Sequence, residues 1–223
     1  MLAKRIFILS GLLVVISLVI FGVVLGLKNI KVDDFKPAAV VFLIDASASN
    51  QSNIGEQKKF IKQICSIMDP EDKIKIMRVS EDAYLIYEGS PQNGNEITKS
   101  LNAFTQFSPD ERGTAYGVAI KKALSHCLTM KKQGYVPAVV VIGDLENEGK
   151  TSKQINWNTL PSNIRETLKY APDLTMMFVW AHPAKLDFVK EKLNPVLGET
   201  HLIVATEQMA DKISRRFFSA LGR

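Results

Sequence analysis

The stretch "VVFLIDASASN", Val40 to Asn50, decides how the rest of the chain is read. An unbroken apolar run ends in an acid, and two serines follow at alternate positions. Side chains two apart in extended chain face the same way, so Asp45, Ser47 and Ser49 converge on a point beyond the strand's end. A run without polar interruption is the pattern of a strand covered by helices on both faces. "AVVVI", Ala138 to Ile142, is a second run of this kind, and Asp144 follows it. The two are expected as neighbours in the middle of one sheet.

Working outward, short β-rich runs alternate with longer segments of helical periodicity, the α/β signature. Strands are expected at Ala39–Ile44, Lys73–Val79, Ala83–Tyr87, Ala138–Ile142, Leu174–Trp180 and His201–Val204. Helices are expected at Ile54–Met68, Glu96–Phe104, Ala115–Lys132, Trp157–Tyr170, Leu186–Leu193 and Gln208–Leu221. Only "SED" separates "KIKIMRV" from "AYLIY", which is too short for a parallel crossover and predicts a hairpin. The expected fold is therefore α/β and doubly wound: a mostly parallel, Rossmann-like sheet with one antiparallel edge strand and helices on both faces. No internal repeat or low-complexity segment interrupts it.

In such a sheet, ligands sit beyond the carboxyl ends of the strands, where strand order reverses. Three loops meet that description. "DASAS" follows the first strand. "ERGTAYG" offers Gly113 for a tight backbone and Thr114 as a helix N-cap. "GDLENEG" opens with Asp144 after "AVVVI". Together they present carboxylates at Asp45 and Asp144 and hydroxyls at Ser47, Ser49 and Thr114, with no histidine or cysteine. An all-oxygen set suits a hard cation, Mg²⁺ first and Mn²⁺ next. The competing reading of Asp45, Ser47 and Ser49 is helix capping, which accounts for one or two of the three.

The Asp-x-Ser-x-Ser after the first strand, the later Gly-Thr before a helix and the Asp ending a later apolar strand resemble the von Willebrand factor A-type (VWA) domain. The combination is similar to its metal-ion-dependent adhesion site (MIDAS), and the resemblance covers residues 38 to 221 in order of elements. It implies that Ser47, Ser49 and Thr114 ligate the metal directly, while Asp45 and Asp144 act largely through metal-bound waters. It also implies that a protein partner's Asp or Glu completes the shell. The chain departs from the family's Thr-Asp-Gly at "GDL", where Gly143 stands for the threonine and Leu145 for the glycine. Glu146 and Glu148 follow; either could join or substitute for Asp144, with solvated loop acids the favoured reading.

Ahead of this domain, Ile6 to Leu27 run without a charge. At about 1.5 Å per residue the run reaches about 33 Å as a helix, against roughly 30 Å of hydrocarbon core. Lys4 and Arg5 would equally serve a signal peptide, but the run exceeds the usual apolar region of about 7–15 residues and lacks a small-residue cleavage site. The expected organisation is an N-terminal transmembrane anchor over residues 1–28, a linker over 29–37 and a VWA-like domain over 38–223. The basic residues flanking the span give no clean orientation. A signal-anchor-like first segment places the domain outside the cytoplasm, on the periplasmic or cell-surface side if the source is bacterial.

The formal charge of +5 in 223 residues, spread along the chain, does not point to nucleic acid. Cys65 and Cys127 fall on apolar helix faces and read as buried thiols, a disulfide outside the cytoplasm staying open. His126, His182 and His201 are isolated, and Trp157 and Trp180 read as packing residues. A Mg²⁺-dependent hydrolase is the less favoured class. "DAS" lacks the paired acid two residues on, and neither a Gly-x-Ser-x-Gly elbow nor a phosphate-cradling glycine loop occurs. The expectation is a metal-dependent protein-binding module for adhesion or complex assembly and not an enzyme. A scaffold component with a vestigial or structural metal site is the alternative.

Overall fold

Strand β1 (Ala38–Asp45) and strand β4 (Val136–Ile142) are buried at every residue and pair in parallel, Val40 opposite Ala138 and Ile44 opposite Ile142. The computed structural model describes residues 36–103, 113–146, 150–205 and 210–222. Among them β2 (Lys73–Val79), β3 (Ala83–Gly89), β5 (Thr175–Val179) and β6 (Leu202–Ala205) complete a six-stranded sheet in the order β3-β2-β1-β4-β5-β6. Strand order reverses between β1 and β4, as expected. All pairs are parallel except β2 with β3, the hairpin on one edge, where a bulge shifts the register beyond Ile76.

Alternation along the strands sorts their side chains into two cores. Val41, Leu43, Val139, Val141, Met176 and Phe178 face one layer. That layer is made by helices α3 (Tyr116–Lys132), α4 (Leu160–Leu168) and α5 (Pro183–His201). Phe42, Ile44, Val140, Ile142, Met177 and Val179 face the other. It is made by α1 (Ile54–Ile67), α2 (Gly94–Ala103) and α6 (Ala210–Ala220). Spacing of three and four builds these faces, as in Phe60, Ile61, Ile64 and Cys65 of α1. The two cysteines lie in opposite cores and are free, and burial pushes each thiol up to about 12.

The differences from expectation sit at element ends. Helix α4 starts at Leu160, not Trp157, with a proline in its first turn, and Trp157 packs edge-on against Phe188. Strand β5 stops at Val179 because Trp180 takes φ 73°, outside any strand geometry. Helix α5 was expected only over Leu186–Leu193. It starts at Pro183, where the His182 ring accepts a hydrogen bond from the Ala184 amide, and it runs past Pro195 to a break at Gly198, φ 69°. Thr114 is not an N-cap side chain: Ala115 holds that position, and no side chain caps the helix.

The expected span Ile6–Leu27 lies outside the described residues, as do Phe104, Glu148 and Gln208. Among the described residues no helix is long and apolar enough to cross a membrane.

At the amino end of β1, the fully buried Asp72 accepts the Ala38 amide at 2.7 Å and the Asp69 amide at 2.9 Å. Orphaning buried donors costs about 1–3 kcal/mol each. Asp72→Ala is expected to lower the unfolding free energy by roughly 2–3 kcal/mol. Urea denaturation should show this, with Asp72→Asn intermediate.

Candidate functional site

The carboxyl ends of β1, β2, β4 and β5 lie together, and the sequence-expected residues sit on the loops that leave them. Asp45 closes β1, fully buried, with Oδ1 accepting the Ser47 amide at 2.8 Å and Oδ2 accepting the Tyr116 hydroxyl at 2.8 Å. The Ser47 and Ser49 hydroxyls share a hydrogen bond at 3.0 Å. Ser49 in turn donates to Asp144 Oδ2 at 2.8 Å, while Asp144 Oδ1 accepts the Glu146 amide at 2.8 Å. A chain of contacts thus runs from the end of β1 to the loop after β4. Neither serine caps a helix: no side chain caps the 3₁₀ turn at Gln51–Asn53 or α1 behind it.

Thr114 enters from the next loop. The Ala115 amide donates to Ser80 O at 2.6 Å and the Ala46 amide to Val79 O at 2.9 Å, so both loops are tied to the end of β2. Gly113 permits this path with φ 111°. The Thr114 hydroxyl oxygen is buried and has no hydrogen-bond partner among the described residues. A buried hydroxyl left unpaired costs free energy, and a ligand atom removes that cost.

Residues beyond the five expected ones support the cluster. Asn50 and Gln57, both buried, exchange amide hydrogen bonds at 3.0 and 2.9 Å, and Asn50 Nδ2 donates to the Asp45 carbonyl at 3.0 Å. This locks the turn after β1 to helix α1. Tyr116 is buried entirely and places its phenol against Asp45. A signal for Gln57 was legible, since a glutamine at helical spacing from Phe60, Ile61 and Ile64 needs a buried partner. Tyr116 carried none, because an aromatic on an apolar helix face reads as packing.

The departures from the resembled pattern have physical forms. Leu145 takes φ 59°, a backbone that suits glycine, and compensates by burying its side chain in the core on the α3 side. Glu146 is exposed, and its carboxylate pairs with Lys185 of α5 at 3.4 Å. The histidines stand apart: His126 meets Lys75 at 3.1 Å and His201 meets Thr175 at 3.3 Å.

Burial pushes the Asp45 carboxyl up to about 7; the Ser47 amide opposes this, the Asp144 charge adds to it, and the Tyr116 phenol opposes it. Among the described residues no three His, Cys, Asp or Glu side chains gather. The donors that do gather are hydroxyls and two carboxylates, a set that fits a hard divalent cation.

Fold and cluster together define a doubly wound α/β domain with an oxygen-donor centre at the strand ends. Residues 40–147 match the family described as von Willebrand factor type A domain, a little under half of the chain. Solved structures share the fold at low identity. "Conserved hypothetical protein BatB" from Bacteroides thetaiotaomicron is 14% identical, with TM-score 0.59, over 83% of this chain and 100% of that one. Proximal thread matrix protein 1 from the mussel byssus, solved with a zinc-occupied MIDAS motif, is 11% identical, with TM-score 0.56, over 83% of this chain and 48% of its own. The pilus adhesin SpaC from Lactobacillus rhamnosus GG is 10% identical, with TM-score 0.59, over 85% of this chain and 30% of its own. No curated protein matches the chain in sequence. The chain is thus similar to von Willebrand factor type A domains over residues 40–147 and shares its fold with these solved structures.

Two outcomes follow for the metal-free protein. The Asp45 carboxyl, raised from 3.8 to about 7, binds its proton more tightly folded than unfolded. Its contribution is therefore present below pH 4 and is lost as pH rises to 7, by up to roughly 4 kcal/mol. Asp45→Asn is expected to flatten that loss and to raise stability at pH 8 by about 1–3 kcal/mol, read from denaturation between pH 4 and 8. At Leu145, glycine relieves about 1–2 kcal/mol of left-handed strain that alanine keeps. Leu145→Gly should therefore be less destabilising than Leu145→Ala, the reverse of the order in an ordinary strand.

Proposed function

We propose that this chain is a metal-dependent protein-binding module whose centre is formed by Asp45, Ser47, Ser49, Thr114 and Asp144. The observation that carries the reading is the buried Thr114 hydroxyl, without a hydrogen-bond partner among the described residues, on a loop tied to the same end of β2 as the loop that opens the Ser47–Ser49–Asp144 chain of oxygens. Mg²⁺ is the proposed ion and Mn²⁺ its substitute, since every donor is oxygen. When bound, the cation supplies a hard positive centre for a carboxylate oxygen from outside. Ser47, Ser49 and Thr114 are its proposed ligands, and Asp45 and Asp144 orient the shell from behind.

The partner is proposed to be a protein offering an Asp or Glu to this end of the sheet. That a pilus adhesin and a byssus protein with a zinc-occupied motif share the fold is consistent with such a role. No catalytic role is proposed: the hydroxyls and carboxylates of the cluster are assigned to the shell of the ion. The length of the Ile6–Leu27 run supports single-pass attachment to a membrane, and the domain is proposed to lie outside the cytoplasm as after a signal-anchor-like first segment.

Calorimetric titration of Mg²⁺ and Mn²⁺ into the full chain in detergent, beside Ser47→Ala and Asp144→Ala variants of equal folded content, tests the reading. Saturable binding is expected in the wild type, with a loss of at least about tenfold in each variant. A folded wild type that binds neither ion overturns it.

A further inference from the structure

The phenol of Tyr116 and the missing side chain at Gly143 form one arrangement. A β-carbon at residue 143 would lie 2.1 Å from the Tyr116 hydroxyl oxygen, 2.4 Å from Asp45 Cβ and 2.9 Å from Asp45 Oδ2. The space for a side chain at 143 is thus already filled by the phenol oxygen. From that seat the hydroxyl donates to Asp45 Oδ2 at 2.8 Å and accepts the Leu145 amide at 3.4 Å. One oxygen atom links the end of β1, the start of α3 and the loop after β4.

The Asp45 carboxylate needs this link. The final torsion of an aspartate is soft, so the backbone does not fix the plane of its oxygens. The Ser47 amide holds Oδ1 and the phenol holds Oδ2, and together they set that plane. The phenol cannot swing away, because the ring is wholly buried among core residues that include Leu43, Ala119 and Val141.

We propose that Tyr116 is a positioning residue of the centre: its hydroxyl, seated where Gly143 leaves room, fixes the orientation of the Asp45 carboxylate and so sets the affinity for a divalent cation. The inference rests on the metal-binding reading above and adds a residue which that reading does not require. Tyr116 touches no cation; it acts through Asp45.

The test titrates Mn²⁺ and Mg²⁺ into the full chain in detergent for wild type, Tyr116→Phe, Gly143→Ala and the double variant. Thermal unfolding of each is followed with and without the ion. Tyr116→Phe keeps the ring and its packing. Its metal-free midpoint is expected within a few degrees of wild type, with cation affinity down about tenfold or more and a correspondingly smaller rise in midpoint on adding the ion. A tyrosine difference spectrum on adding Mn²⁺ is expected in wild type and lost in Tyr116→Phe. The double variant is expected to bind no more weakly than Gly143→Ala alone, because both changes break one link. Tyr116→Phe carries the test whether or not Gly143→Ala folds. A Tyr116→Phe protein that binds the ion as tightly as wild type, or more tightly, overturns the positioning role while leaving the metal centre standing. A purely structural role would lower both midpoints equally and leave affinity unchanged, and it too overturns the inference. No binding in the wild type overturns the metal centre itself.

Discussion

Asp45 is fully buried at the carboxyl end of the central strand, and each of its oxygens is held by a separate donor. A carboxyl in that position resists ionisation, and the neighbouring Asp144 charge makes ionisation harder. Its surroundings counter this with a backbone amide, a phenol and, through its own carbonyl, the Asn50–Gln57 pair anchored in α1. Those supports come from both layers of helices. The sheet has to be covered on both faces before the carboxylate can be held at all, which ties the centre to the doubly wound architecture.

How much of this was legible follows from which patterns are local. β1 and β4 were readable because continuous apolar runs at the sheet centre have one explanation, burial on both faces. The hairpin was readable because "SED" leaves no length for a crossover. Asp45, Ser47, Ser49 and Asp144 were readable because each lies directly beyond such a run. Element ends were less so: Trp180 leaves β5 through a positive φ, and α5 survives Pro195, neither of which periodicity encodes. Thr114 was expected to cap a helix, a role that the fold does not use. Tyr116 was invisible because its part in the centre depends on a contact with Asp45, 71 residues away in sequence.

The loop after β4 departs from the resembled pattern at two positions that meet in space. Leu145 accepts a glycine-like backbone, and its burial offsets the strain. Gly143 has no side chain, and the place a β-carbon would take is filled by the Tyr116 hydroxyl arriving from α3. The two changes are coupled in space: the Leu145 amide and the Gly143 β-position both meet the same phenol oxygen. Together they leave the phenol seated between the loop after β4 and the Asp45 carboxylate.

The charge count at the centre supports the proposed division of roles. Asp45 and Asp144 bring two carboxylates, equal to the charge of one divalent ion. A further acid of the chain fixed at the same point would occupy the place that the ion's attraction offers to an acid from outside. Glu146, the next described acid on the loop, is instead drawn toward Lys185 on α5. An exposed pair of this kind adds little stability. Its consequence lies in where it leaves the acid: paired with Lys185, so that no further carboxylate of the described chain competes for the position a partner's acid would take.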